Sequence, residues 1–317
     1  MYFIFDRATR FSGCKRTLNR LSKLLIIEKT TAPLDNLIAM NCYEFSRVEK
    51  SKTLNYIIIV CPTDVDIVRN TDEHRMVTNI LQGAKYVVVF SKYIYGTLLL
   101  NFTINRDRIK IIRPSIKKRL RYTKQCTLET LTSLRGKKFF VSVGNLNKDK
   151  RPEYLFKFFK TSKKYSLVII GDIIYGNYIF PRNVYHIKGL ARKKLYSCIK
   201  QSIGLIDTSI SGGSGLSILE TMKLKRPVYA YGNSGNKSII THGFNGLLFY
   251  DVRSFKFVIN QPVKQIIKNA YDYVTIKHTR RLERHAYLSL LDMLCLMLWF
   301  VSHVDQILED GLWGLLL

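Results

Sequence analysis

The sequence predicts an α/β protein of two domains, each a series of buried strands alternating with helices. Three observations predict it. Short apolar runs recur, closed by Pro, Gly or Ser, and segments with apolar residues at helical spacing follow them. The alternation pauses once, in a lysine-rich stretch, and then restarts. Finally, the run Ile203–Ile206 feeds a small-residue turn at Ser211–Gly215, after which Leu216, Leu219 and Met222 recur at helical spacing. A chain of 317 residues suits two domains of ordinary size. The domains are read as 1–114 and 138–275, joined through a linker at 115–137, with 276–317 as a C-terminal helix and apolar tail.

In the first domain, Met1–Phe5 is a strand, Thr9–Gly13 a turn, and Thr17, Leu18, Leu21, Leu24 and Leu25 mark a helix for which Ser12 is a candidate cap. Tyr56–Cys61 is a continuous apolar run ended by Pro62, the pattern of a strand buried on both faces. Its carboxyl end delivers Thr63-Asp64-Val65-Asp66, and loops at that end of open α/β sheets bind ligands. Asp64 is therefore a candidate ligand contact, and equally a helix-capping residue. Met76–Leu81 is a helix, Lys85–Phe90 a strand, Ser91–Leu100 a helix, and Arg108–Ile112 a strand that stops at Pro114. The linker is basic but has no aromatics alternating with its lysines, so it does not offer the stacking platform of a specific nucleic-acid site.

The second series opens at Phe139–Val143, continues through the strand Ser166–Gly171, a strand in Asn183–Gly189 and the helix Lys193–Cys198, and closes with strands at Pro227–Tyr231 and Gly246–Tyr250. The junction at Ser211–Leu216 carries the chemistry. A glycine turn that opens a helix aims unpaired N–H groups and the positive end of the helix dipole at an anion, for which phosphate is the natural guest. Glu220, one turn into the helix, can accept hydrogen bonds from a ribose diol. Upstream, Gly144-Asn145-Leu146-Asn147-Lys148-Asp149-Lys150-Arg151-Pro152 places basic side chains at the mouth of a strand.

These motifs resemble those of glycosyl-transferase group 1 enzymes, retaining glycosyltransferases with the GT-B fold of two Rossmann-like domains facing a cleft. The family fingerprint E-G-x-G-L-x-x-L-E-A-M followed by a P-V-V strand is matched by Gly213, Gly215, Leu216, Leu219, Glu220, Met222, Pro227 and Val228. Its V-G-R-L-x-x-x-K-G segment is matched at Gly144 and Lys150. Two departures stand out: Gly212 occupies the place of the first glutamate and Asn145 that of the arginine. The resemblance implies a donor site of Gly144, Asn145, Lys150, Gly213, Ser214, Gly215, Leu216 and Glu220. In it Lys150 and Glu220 are the catalytic pair: the lysine clasps the donor diphosphate and Glu220 holds the nucleotide ribose. In the family the first glutamate contacts the donor sugar's hydroxyls. Gly13 and Asp64 are the acceptor-side candidates. No histidine precedes His74 where the family's first domain carries a cleft-facing one, so that domain is read as reduced.

The implied reaction is retaining, metal-independent transfer of a sugar from a nucleotide-diphosphate donor to an acceptor hydroxyl, with no cofactor and no metal. The alternative is a catalytically impaired nucleotide-sugar-binding protein. The expected partners are the nucleotide sugar and an acceptor of unstated identity. A net charge of +28, from 51 Lys+Arg against 23 Asp+Glu, attracts polyanions or phosphorylated substrates and is compatible with peripheral membrane contact, although dispersed surface lysines account for it equally. Six scattered cysteines without a C-x-x-C pair argue against a zinc site or disulfide framework, and with no apparent secretory signal a cytoplasmic location is expected. The apolar segment Ala286–Val301 is shorter than the ~20 residues of a membrane span and contains Asp292. Packing back onto the first domain, lying on a membrane surface and being an aberrant terminus are its three readings.

Overall fold

In the computed structural model the described residues are 3–5, 12–25, 29–30, 37–46, 55–61, 64–65, 71–123, 134, 136–210 and 215–291. In chain order the first part forms β1 (Phe3–Phe5), α1 (Ser12–Leu25), β2 (Lys29–Thr30), β3 (Leu37–Met40), α2 (Cys42–Phe45), β4 (Tyr56–Ile59), α3 (Thr71–Gly83), β5 (Tyr86–Val89), α4 (Lys92–Asn101) and β6 (Ile109–Ile111). The second forms β7 (Lys138–Val143), α5 (Pro152–Thr161), β8 (Tyr165–Ile170), β9 (Val184–Ile187), α6 (Arg192–Gln201), β10 (Leu205–Asp207), α7 (Leu216–Lys223), β11 (Val228–Tyr231), α8 (Ser234–Lys237), β12 (Leu247–Phe249), α9 (Val252–Val258) and α10 (Lys264–Lys277). Residues 280–291 add a further helix, α11.

Two parallel six-stranded sheets result, with strand orders β2-β1-β3-β4-β5-β6 and β12-β11-β10-β7-β8-β9. In the second sheet successive strand residues point to opposite faces. Val141, Val168, Ile170 and Val228 enter one core, while Phe140, Leu167, Ile169 and Tyr229 enter the other. Both faces are covered, which is why these strands are predominantly apolar, with Ser142 in β7 and Ser166 in β8 as small buried exceptions.

The sequence reading missed β3. Its four residues, L-I-A-M, are completely or almost completely buried and lie between β1 and β4. A run that short carries no period that separates strand from helix. The first sheet thus has as many strands as the second. The expected turn at Thr9–Gly13 is only partly described: Gly13 lies in the first turn of α1, and residues 9–11 are outside the described residues.

The C-terminal helix returns to the first sheet. Tyr287, Leu290 and Leu291 of α11 are buried in the same core as Leu18 and Leu21 of α1. The buried Glu283 carboxylate accepts from the Arg20 guanidinium and, at 3.0 Å, from the Ser115 amide. Beside it the His278 ring donates through Nδ1 to the Pro114 carbonyl at 2.7 Å, and burial depresses its pKa to about 4, so the ring is neutral. Of the three readings of the tail, packing describes residues up to 291. Residues 292–317 lie outside the described ones. No helix among the described residues is long and apolar enough to cross a membrane.

Candidate donor site

Because both sheets are parallel, the loops that leave the carboxyl ends of their strands gather on one edge. In the second sheet β7 and β10 are neighbours, with Leu205 paired to Val141, so the loop after β7 meets the turn after β10. The first of these loops contains a 3-10 turn at Lys148–Lys150, whose Asn147 caps it by accepting from the Lys150 amide at 3.0 Å. The Lys150 side chain folds back across Gly144. A Cβ on that glycine would lie 2.7 Å from the lysine Cε, and its φ is +137°, so glycine there makes room for the lysine. The ammonium lies 3.4 Å from the Val143 carbonyl and 3.5 Å from Asp207 Oδ1.

Asp207 ends β10 and is buried. Burial alone would raise its pKa, but the Lys150 ammonium and hydrogen bonds from Ser209 outweigh it and hold the carboxyl below its ordinary range. The Ser209 amide donates to Oδ1 at 2.9 Å, and the Ser209 hydroxyl donates to the same oxygen. The following backbone is tied to the β7 loop. Thr208 Oγ1 donates to the Lys150 carbonyl at 2.6 Å, Arg151 Nε to the Thr208 carbonyl at 3.3 Å, and the Ile210 amide to the Asp149 carbonyl at 2.8 Å.

Asn145 is an uncharged amide and supplies no second cation beside Lys150. Its Oδ1 accepts from the Asp172 amide at 3.2 Å, and Asp172 in turn accepts from the Gly189 amide at 3.1 Å, so the loops after β7, β8 and β9 are joined in series. Lys148 is exposed, with its ammonium 4.7 Å from the centre of the Tyr175 ring. Arg151 has the left-handed backbone (φ 42°) and lays its guanidinium over the Tyr231 ring at 4.1 Å.

At the turn after β10, Gly213 and Ser214 lie outside the described residues, as does Gly212. Gly215 is described. It precedes α7 with φ +60°, a backbone that favours glycine, and a Cβ there would fall 1.9 Å from Ile239 Cδ1, so that side chain would have to turn away. Leu216 is the buried first residue of α7. Glu220 follows one turn later and is buried too. Its Oε1 accepts from the Arg192 guanidinium and, at 2.9 Å, from the Tyr196 hydroxyl, both on α6. Burial first and the Glu220 charge second push the Tyr196 phenol up to about 12, so it stays a donor. Sequence reading missed Arg192 and Tyr196, although their i, i+4 spacing places them on one helix face.

In the first sheet, Asp64 is fully buried. It accepts from the Cys61 amide at 2.7 Å, the Cys42 amide at 3.1 Å and the Tyr43 amide, tying the turn after β3 to the end of β4, and burial still lifts its pKa to about 7. The Cys42 and Tyr43 amides open α2, so Asp64 caps a helix that precedes it in the chain rather than one that follows β4.

Residues 129–272 match the family model described as glycosyl transferases group 1. The matched segment contains the whole second sheet. It also contains every donor-site residue named above. Glycosyltransferase 1 domain-containing protein 1 of Xenopus tropicalis is 27% identical over 281 residues, 80% of this chain and 81% of that protein. Among solved structures, Anabaena Alr3699/HepE in complex with UDP-glucose superposes with a TM-score of 0.71 at 14% identity, covering 92% of this chain and 99% of HepE. WaaG, a glycosyltransferase involved in lipopolysaccharide biosynthesis, gives 0.64 at 12% identity over 90% of this chain and 98% of WaaG. The fold is GT-B, two Rossmann-like parallel-sheet domains, with the segment that matches the family model in the second.

Proposed function

We propose that the protein is a retaining, metal-independent glycosyltransferase that moves a sugar from a nucleotide-diphosphate donor to an acceptor hydroxyl. The observation that supports this reading is that β7 and β10 are neighbouring parallel strands, so the loop that carries Lys150 and the turn that leads into the Glu220 helix leave adjacent strands within the segment that matches the group 1 family model. A nucleotide sugar laid along that edge would meet the ammonium with its diphosphate and Glu220 with its ribose. The Lys150 charge would stabilise the diphosphate as it leaves, the task a divalent metal performs in other transferases. The departing phosphate oxygen would take the acceptor's proton, so the reaction needs no separate base.

The test is a thermal-shift series with UDP-glucose, GDP-mannose and ADP-glucose on the wild type and on Glu220→Gln. That substitution keeps side-chain shape while removing the charge. The expected result is that one of the three raises the wild-type midpoint and that the variant loses more than half of that rise. Equal rises in both proteins would remove Glu220 from the site. A second reading, donor binding with little turnover, is favoured by Asn145, whose side-chain oxygen is committed to the Asp172 amide. Stabilisation by a nucleotide sugar without any release of nucleoside diphosphate would select it.

A further inference from the structure

Where the family carries the glutamate that contacts the donor sugar's hydroxyls, this chain has Gly212, yet five residues earlier it places a carboxylate beside the diphosphate lysine. We propose that Asp207 is a donor-binding residue whose carboxylate accepts hydrogen bonds from the hydroxyls of the transferred sugar. The proposal rests on the donor-site reading above and adds a residue to it.

Four features support it. First, the Asp207 carboxylate lies 3.5 Å from the Lys150 ammonium, so a sugar joined to a diphosphate held by that lysine comes within its reach. Second, the lysine and the serine donors all meet Oδ1, and Asp207 Oδ2 takes no partner among the described residues. Third, the depressed pKa keeps the group an acceptor at neutral pH, and a carboxylate acceptor makes the stronger class of hydrogen bond. Fourth, the strand end cannot drift. The Thr208 carbonyl is held by Arg151, and the Ser209 carbonyl accepts from Asn233 Nδ2 at 2.5 Å. A carboxylate fixed in advance on a strand end is the arrangement that discriminates a sugar from bulk water. An ion pair serving stability alone explains the pairing with Lys150, but leaves a buried strand ending in Asp at the mouth of a donor site without a use.

The experiment is isothermal titration of UDP-glucose, GDP-mannose and ADP-glucose, each beside its free nucleoside diphosphate, into the wild type, Asp207→Asn and Lys150→Met. Asn keeps an oxygen for Ser209, and a matching far-UV spectrum and melting curve establish that each variant is folded. For the nucleotide that binds, Asp207→Asn is expected to weaken the nucleotide sugar about 10- to 100-fold relative to its free diphosphate, whose own affinity rises or holds as Lys150 loses its charged partner. Lys150→Met is expected to weaken both by the same factor. If Asp207→Asn weakens sugar nucleotide and diphosphate equally, or neither, Asp207 is only a tether for Lys150 and the proposal fails. A wild type that binds none of the six compounds overturns the donor-site reading itself, a different failure.

Discussion

Replacing Lys150 with Met is expected to lower turnover by about 10²- to 10³-fold, measured as nucleoside diphosphate released from the nucleotide sugar with water or an added acceptor. Charge sets the size of the effect. A diphosphate leaving a sugar gains negative charge, and an ammonium about 4 Å away at an effective dielectric of about 20 is worth about 4 kcal/mol. Asp207, which shares the ammonium at 3.5 Å, takes part of that, which places the effect at or below this value. Because the charge develops during bond breaking, turnover should fall further than donor affinity does. A loss of less than about threefold would mean that another group, such as Arg151, supports the leaving diphosphate.

Replacing Gly171 with Ala is expected to lower stability by about 3 kcal/mol or more, a fall of about 6–12 °C in melting temperature for a chain of this size. The added methyl would lie 2.1 Å from the Gly144 carbonyl oxygen and 2.4 Å from its carbon, at φ +156°. Neither atom belongs to a side chain that can swing away. The two loops are also stitched together. Leu146 donates to the Asp172 carbonyl at 2.8 Å and Ile174 to the Leu146 carbonyl at 3.1 Å, so relief requires moving the strand end on which Lys150 rests. Donor affinity should therefore fall in the fraction that still folds. Gly243 provides the control, since it has φ +77° with nothing within 4 Å of its missing Cβ. Gly243→Ala should cost only the left-handed backbone penalty, about 1–2 kcal/mol. Equal melting temperatures for the two variants would show that the contact between the β7 and β8 loops is not as tight as described.

The second domain was legible in the sequence because a strand covered on both faces is mostly apolar, and Phe139–Val143 and Ser166–Gly171 are so apart from Ser142 and Ser166. The glycine at 215 was legible for a related reason: a turn that must admit a helix start at positive φ leaves glycine as the residue that fits. What could not be read was which charged side chains meet. Lys150 and Asp207 are 57 positions apart and are joined only because β7 and β10 pair, a crossover that no local spacing reports. Glu220 illustrates the same limit. Its helix position implied a ligand-facing carboxylate, and the fold also gives it Arg192 and Tyr196 from α6. Asp64 read as either a contact or a cap because an aspartate after a strand suits both, and only the position of the Cys42 and Tyr43 amides decided which bonds it makes.

In the proposed reaction one nucleotide sugar spans Lys150 and Glu220. A crystal structure with the nucleoside diphosphate that stabilises the protein most would test it most directly. The diphosphate is expected within hydrogen-bonding distance of Lys150 Nζ, with the ribose hydroxyls on the Glu220 carboxylate. A nucleotide bound away from the carboxyl edge of β7 and β10, or touching one of the two residues without the other, would contradict it.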